Sequence, residues 1–308
     1  MGDRLKGKVA IVTGSGQGVG RGIALSLAGE GARVITNSRK PGTAGGDAAS
    51  TAKEIVKMGS QAIPLFGDVS ILETGEKLVQ AAVDNFGRVD ILVNNAGVVR
   101  DKMIFNMSPE EWDDVIKVHL YGHFNCTKPA SILMRQQGSG RIINMSSTSG
   151  LGNAGQANYA AAKEGIAGFT RTVARDLGRY GVTCNAIRPG AGTRMNQSPE
   201  MVVAWQRRVA RGELTAEQVA ARRLPEPEYV GPFVAWLCTD AAAGINGYDF
   251  AVRGGHVAIF SQPVEWKSID KEGFWTMDEL DRIMPATLAS GPVRGTPLPN
   301  PAPPQPRT

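Results

Sequence analysis

Tyr159 and Lys163 stand four positions apart in GQANYAAAKEG, residues 155–165, a run otherwise built mostly from small side chains. Alanine is the strongest helix former, so the segment from about Ala157 onward reads as a helix, where residues i and i+4 stack on one face. A phenol and an ammonium then share that face. Free tyrosine titrates near about 10, and an ammonium about 4 Å away at an effective dielectric of about 20 is worth about 4 kcal/mol, or about three pKa units. Such a pair suits proton transfer near neutral pH. It fits an ordinary amphipathic helix with incidental neighbours as well, so the surrounding elements have to decide.

Apolar, β-branched runs recur at 8–13, 32–37, 61–66, 89–95, 140–146, 181–187 and 248–252. Between most of them lie helix-length segments with Ala, Leu, Glu and Lys at 3.6-residue spacing, as in 21–31 and 74–87. Strand alternating with helix predicts a doubly wound α/β fold: a parallel seven-stranded sheet with helices on both faces, whose burial explains the nearly continuous apolar strands. Two regions break the rhythm. Residues 194–227 form a polar, helical-looking insertion, and residues 256–308 finish in GPVRGTPLPNPAPPQPRT, whose prolines favour an extended tail.

The 308 residues carry a net charge of +5, which suits anionic ligands such as dinucleotides or acyl-CoA thioesters. The positive residues are dispersed rather than clustered with stacking aromatics, apart from an arginine-rich stretch between Arg207 and Arg223, so no nucleic-acid partner is expected. No apolar run approaches the roughly 20 residues that cross a bilayer, and the amino-terminal stretch runs straight into a strand-like segment. A cytosolic protein without membrane contact is the expectation. Cys126, Cys184 and Cys238 lie far apart in helix-like or strand-like segments and read as buried free thiols. His119 and His123 make an HxxxH pair, but no acid completes HExxH, so no metal is expected.

Directly after the first strand comes TGSGQGVG, Thr13 to Gly20. Glycines there let the chain turn tightly and bring backbone amides, with Ser15, Gln17 and Val19 between them, against a pyrophosphate at the positive end of the next helix. The second strand ends in Asn37, Ser38, Arg39 and Lys40, where dinucleotide folds that select NAD usually place an acid. With no carboxylate to repel a 2′-phosphate, and with Arg39 able to grip one, NADP(H) is preferred and NAD(H) possible. Alternatively Arg39 and Lys40 solvate a turn before Pro41.

With TGSGQGVG at 13–20, NNAG at 94–97 and YAAAK at 159–163 in this order, the chain resembles the short-chain dehydrogenase/reductase family over roughly residues 7–255. The resemblance implies a Rossmann domain over 1–255, with 194–227 as a substrate lid opening on Arg194 and Met195, followed by an extension over 256–308 with its Pro-rich tail. It implies that Gly14, Gly16, Gly18 and Gly20 shape the pyrophosphate turn and that Asp68 and Val69 meet the adenine. Asn94, Asn95, Ala96 and Gly97 would line the trough, with Pro189, Gly190 and Thr193 completing the cofactor site. Tyr159 becomes the acid/base of an NAD(P)(H)-dependent interconversion of a secondary alcohol and a ketone. Lys163 becomes its pKa tuner and a ligand of the nicotinamide ribose.

The family's serine falls on GRIINMSS: spacing back from Tyr159 selects Ser146, alignment from the strand selects Ser147, and Ser147 is chosen here. Only one of the two neighbours can face the substrate. Where most members carry an asparagine that holds water against the lysine, this chain has His119, which either relays protons or packs its ring and exposes its backbone carbonyl. That VHL-G-F setting, with PGAGTRM (189–195) and EPEYVGPFVAWLC (226–238), is similar to the branch holding the (3R)-hydroxyacyl-CoA dehydrogenase part of peroxisomal multifunctional enzymes. The implied substrate is a 3-hydroxyacyl thioester or a bulky hydrophobic or cyclic alcohol, and the implied assembly is a homodimer or homotetramer. The alternative is a nucleotide-binding scaffold or sensor with little activity.

Overall fold

The computed structural model describes residues 2–43, 45–192, 199–215, 217–219 and 224–290. The apolar runs become β1 (Val9–Val12), β2 (Arg33–Ser38), β3 (Ala62–Phe66), β4 (Ile91–Asn94), β5 (Gly140–Met145), β6 (Val182–Pro189) and β7 (Asp249–Arg253). Between them run α1 (Gly18–Gly29), α2 (Ala48–Lys57), α3 (Leu72–Phe86), α4 (Pro109–Ile116), α5 (Gly122–Gln137) and α6 (Ala157–Gly178). Part of the polar insertion forms α7 (Pro199–Ala210).

The sheet order is β3-β2-β1-β4-β5-β6-β7-β8, so the chain reverses direction across the sheet after β3. That crossover opens a crevice at the carboxyl ends of β1 and β4, where doubly wound folds bind their ligands. The seven strands pair in parallel, but the sheet has eight. The extra strand β8 (His256–Ile259) runs antiparallel to β7, with Arg253 opposite His256, so that Gly254 and Gly255 form a two-residue hairpin loop. Gly254 adopts φ +55°, the left-handed backbone such loops require.

Alternate strand residues feed two separate cores, as the period of two demands. On one face Ala10, Val12, Val34, Ile91 and Val93 pack against Ile23 and Leu27 of α1 and against Val234 and Leu237 of the helix Gly231–Leu237. On the other, Val9, Ile11, Ile35 and Leu92 meet Leu78 of α3, Met134 of α5 and Val173 of α6. All three cysteines are buried and unpaired, and burial pushes their thiols up to about 12 or beyond.

The chain divides into two units, Met1–Phe260 and Ser261–Thr308. Within the second, the short helix Met277–Ile283 is capped by Thr276. Lys271, 2.7 Å from Glu279, and the Thr276 amide hold the Glu279 carboxyl down at about 2. The proline-rich end of the tail lies outside the described residues, as do Thr193, Arg194 and Met195.

Candidate active site

The glycine loop is shaped by what it touches. Gly14 and Gly18 adopt φ +61° and +56°, which only glycine does readily. A Cβ on Gly14 would lie 2.7 Å from the Ala96 Cα, one on Gly16 equally close to the Asp47 Cα, and one on Gly20 2.4 Å from the Gly14 carbonyl. Thr13 and Asn95 clip the ends of β1 and β4 together: the Thr13 hydroxyl accepts from the Asn95 and Ala96 amides at 2.9 and 3.1 Å. The Asn95 amide group donates to the Thr13 and Gly14 carbonyls at 3.0 and 3.1 Å. Ser15 is buried, its amide donating to the Asn37 carbonyl at 2.8 Å and its hydroxyl accepting from the Asn37 amide at 2.9 Å.

Val19 and Gly20 then enter α1, whose first turn holds no acidic residue, so its positive end is compatible with a pyrophosphate. The residues present fit a dinucleotide. Gly14→Ala should therefore weaken dinucleotide binding about fivefold or more as the loop shifts to escape αL strain of about 1–3 kcal/mol and the Ala96 contact. Fluorescence titration of the variant checks this, and an unchanged affinity would contradict the cradle.

The adenosine end differs from expectation. The Ser38 hydroxyl accepts from the Ala48 amide at 3.0 Å, and Arg39 is exposed. The loop after β2 folds back so that the backbone of Asp47 rests on Gly16, bringing to this rim a carboxylate that the strand end itself lacks. Asp47 caps α2 and accepts from the Gly42 and Ser50 amides at 2.8 and 2.9 Å, bonds that hold its carboxyl below the usual range. The half-buried Asp68 accepts from the Ser70 amide at 3.0 Å, and Val69 is buried with its carbonyl bound by Asn125. Asn94 is committed to the interior, donating to Thr127 and Asn144, both at 2.9 Å. Its side chain holds neighbouring elements rather than facing the trough. Gly97 is pressed by the His119 ring, 2.4 Å from where a Cβ would sit. Gly190 follows Pro189 at the end of β6, and its amide donates to the Val252 carbonyl at 2.8 Å.

Tyr159 and Lys163 share the inner face of the first turns of α6. Asn158, buried just before Tyr159, fixes that end of the helix by donating to the Arg100 and Glu111 carbonyls, each at 3.0 Å. The Lys163 ammonium lies 5.3 Å from the Tyr159 ring centroid and donates to the Met145 carbonyl at 2.5 Å. The two serines separate as neighbours at a strand end must. Ser146 is 1% exposed and donates to the Lys163 carbonyl at 2.8 Å, whereas the Ser147 side chain lies on the side of the Tyr159 phenol and draws its titration down. Ser147 also starts a 3-10 turn over Thr148–Leu151, its hydroxyl accepting from the Ser149 amide at 3.1 Å.

The electrostatics reverse one expectation. Burial pushes the Tyr159 phenol up, the Ser147 hydrogen bond only partly offsetting it, and Asp101 pushes in the same direction as burial. Burial acts on Lys163 as well, lowering the lysine to about 7, and its Nζ is held by the Met145 carbonyl. The pair is better described as two desolvated groups than as a phenolate stabilised by a full positive charge.

His119 sits on a π-helical turn, Lys117–Tyr121, with its ring edge-on to Tyr159 at 5.2 Å. Its Nε2 lies 2.8 Å from the Val98 carbonyl and 3.2 Å from the Val98 amide, so its tautomer decides which of the two it engages, while its buried Nδ1 has no partner among the described residues. Burial and Lys163 hold this imidazole well below its usual range, hence neutral. Its backbone carbonyl accepts from His123 Nδ1 at 2.7 Å, so the exposed-carbonyl role does not fit. His123, buried too, is lowered to about 3.

A glycine loop closing the first strand of a doubly wound sheet, with a Tyr–Lys helix across the same crevice, defines an α/β dinucleotide-dependent oxidoreductase. The chain belongs to the short-chain dehydrogenase family, which matches residues 8–201. It is an oxidoreductase acting on CH–OH. It is 41% identical over 82% of its length to a 3-oxoacyl-[acyl-carrier-protein] reductase of Synechocystis, 98% of which is covered. A hydroxyacyl-CoA dehydrogenase of Mycobacterium tuberculosis, ChsB1, is also 41% identical, over 90% of this chain and 87% of its own. The mouse peroxisomal multifunctional enzyme type 2 is 40% identical over 82% of this chain, which spans 32% of that longer protein. A crystal structure of a short chain dehydrogenase from Mycobacterium avium superposes with a TM-score of 0.79 at 38% identity, covering 94% of this chain and 98% of that one.

Sequence reasoning missed Asp47, Asn158 and Arg188. The signals were faint: an Asp before Ala-Ala-Ser at a helix start, a polar residue ahead of the tyrosine, and a charged residue closing an apolar strand.

Proposed function

We propose that the protein interconverts the 3-hydroxy and 3-oxo forms of an acyl thioester, with Tyr159, Ser147 and Lys163 as its working residues. The observation that carries the assignment is the Lys163 ammonium 5.3 Å from the Tyr159 ring on one face of α6, with Ser147 close enough to draw the phenol's titration down. The nicotinamide, when bound, supplies or accepts the hydride. Ser147 donates a hydrogen bond to the substrate oxygen and orients it. Tyr159 gives that oxygen a proton on reduction and takes it back on oxidation. Lys163, held at about 7, is poised to trade a proton near neutral pH and to bind ribose hydroxyls. The thioester is supported by the names of the two bacterial relatives. Leu151, 62% exposed beside the Ser147 turn, and Met103, 47% exposed near Gly155, give the rim an apolar character suited to an acyl chain. By family resemblance the protein works as a dimer or tetramer.

The reading is tested by turnover of 3-hydroxyacyl-CoA against steroid and cyclic alcohols with each dinucleotide, followed by nicotinamide absorbance. Faster turnover of the cyclic alcohols would overturn the thioester. For the cofactor we place NADP(H) ahead of NAD(H), on Ser38, Arg39 and Lys40, with Asp47 as the counterweight. Arg39→Ala should lower the NADPH-to-NADH ratio of kcat/KM by about tenfold, the worth of a charged hydrogen bond, and Asp47→Asn should raise it. A ratio indifferent to Arg39 would remove the preference.

A further inference from the structure

Arg188, near the end of β6, is buried with its side chain 2% exposed, an expensive place for a charge that serves packing alone. Its guanidinium spends its donors in three directions. Nε donates to Asp249 at 2.7 Å, Nη2 to Glu164 at 2.8 Å, and Nη1 to the backbone carbonyl of Ser147 at 2.8 Å. The Phe260 ring covers the group, its centroid 4.9 Å away. Joining β6 to β7 does not require this fork, because their parallel ladder already runs from Ala186↔Asp249 to Pro189↔Val252. What the fork adds is a tie between Glu164, the neighbour of Lys163, and the carbonyl that starts the Ser147 turn.

We propose that Arg188 is a positioning residue: by holding the Ser147 carbonyl and Glu164 in one planar grip, it aims the Ser147 hydroxyl at Tyr159. This rests on the proposed roles of Ser147 and Tyr159. Lysine at this position keeps the charge for Asp249 but cannot reproduce the planar fork.

Arg188→Lys should lower kcat about tenfold while dinucleotide affinity changes less than about twofold. It should also raise the Tyr159 titration, read by NMR of isotope-labelled tyrosine and referenced to Tyr159→Phe, because Ser147, which draws it down, is no longer held by its carbonyl. In a Ser147→Ala background the same substitution should produce neither effect. An unmoved Tyr159 titration, or an effect that persists undiminished in that background, would overturn the proposal. Should Arg188→Lys fail to fold, Glu164→Ala, at a side chain 42% exposed, releases only one arm and should raise the titration by a smaller amount; no shift would again overturn it. The titration does not depend on turnover, so an inactive wild type would sink the proposed reaction while the effect of Arg188 on Tyr159 could still be read.

Discussion

Tyr159→Phe should lower turnover by about 10³–10⁴-fold, the upper part of the range for a positioned acid/base, while the dinucleotide binds with its affinity changed less than about twofold. The phenol oxygen is the only atom removed, and the cradle of Gly14, Gly16 and Gly20 is built without it. The raised Tyr159 titration also sets the sign of the pH dependence. Below its pKa the phenol is protonated and ready to donate, so ketone reduction should be nearly flat from acid to neutral pH. Alcohol oxidation needs the phenolate and should climb about tenfold per pH unit through the alkaline range. In the phenylalanine variant that climb should vanish from the residual rate. Steady-state rates in both directions across pH check this, and oxidation that persists with the wild-type slope would remove Tyr159 from the reaction.

How much of this was legible in the sequence depends on what each residue answers to. β1 and β4 were legible because strands buried on both faces must be largely apolar, and Val9–Val12 and Ile91–Val93 are. β8 was not, because His256–Ile259 is a mostly exposed edge of four residues; only the Gly254–Gly255 pair marks its turn. The spacing of Tyr159 and Lys163 reports a shared face and says nothing about depth, which is why the direction of the Tyr159 shift escaped: desolvation outweighs a neighbouring charge that is itself suppressed. The choice between Ser146 and Ser147 depended on which way a strand end faces, and that is set by pairing with β6 rather than by local sequence. Arg188 lies 41 positions from the carbonyl it holds, and Asp47 reaches Gly16 only because a glycine-rich loop folds back. Both are long-range consequences of topology.

Lys163→Met should separate function from stability. Burial lowers this lysine from 10.5 to about 7, so folding disfavours its charged form. The sign follows: the residue's contribution is most favourable above pH 10.5, declines as pH falls toward 7, and is constant below. Full linkage over that interval is worth on the order of 4–5 kcal/mol, an upper figure for a buried group. Methionine fills a similar volume without titrating, but it strands the Met145 carbonyl that Nζ serves, at about 1–3 kcal/mol. Near about pH 6 the variant should therefore be more stable than the wild type by about 1–3 kcal/mol, and the difference should shrink or reverse by about pH 9.5 as the wild-type lysine sheds its proton. Urea unfolding at both pH values measures the crossing, and turnover should fall at least about 10²-fold at either pH because the proton partner of Tyr159 is gone. A stability difference that does not change with pH would show that Lys163 is not desolvated. A crossing would mean that this fold tolerates, beside the glycine loop, a buried amine whose charged form costs it stability.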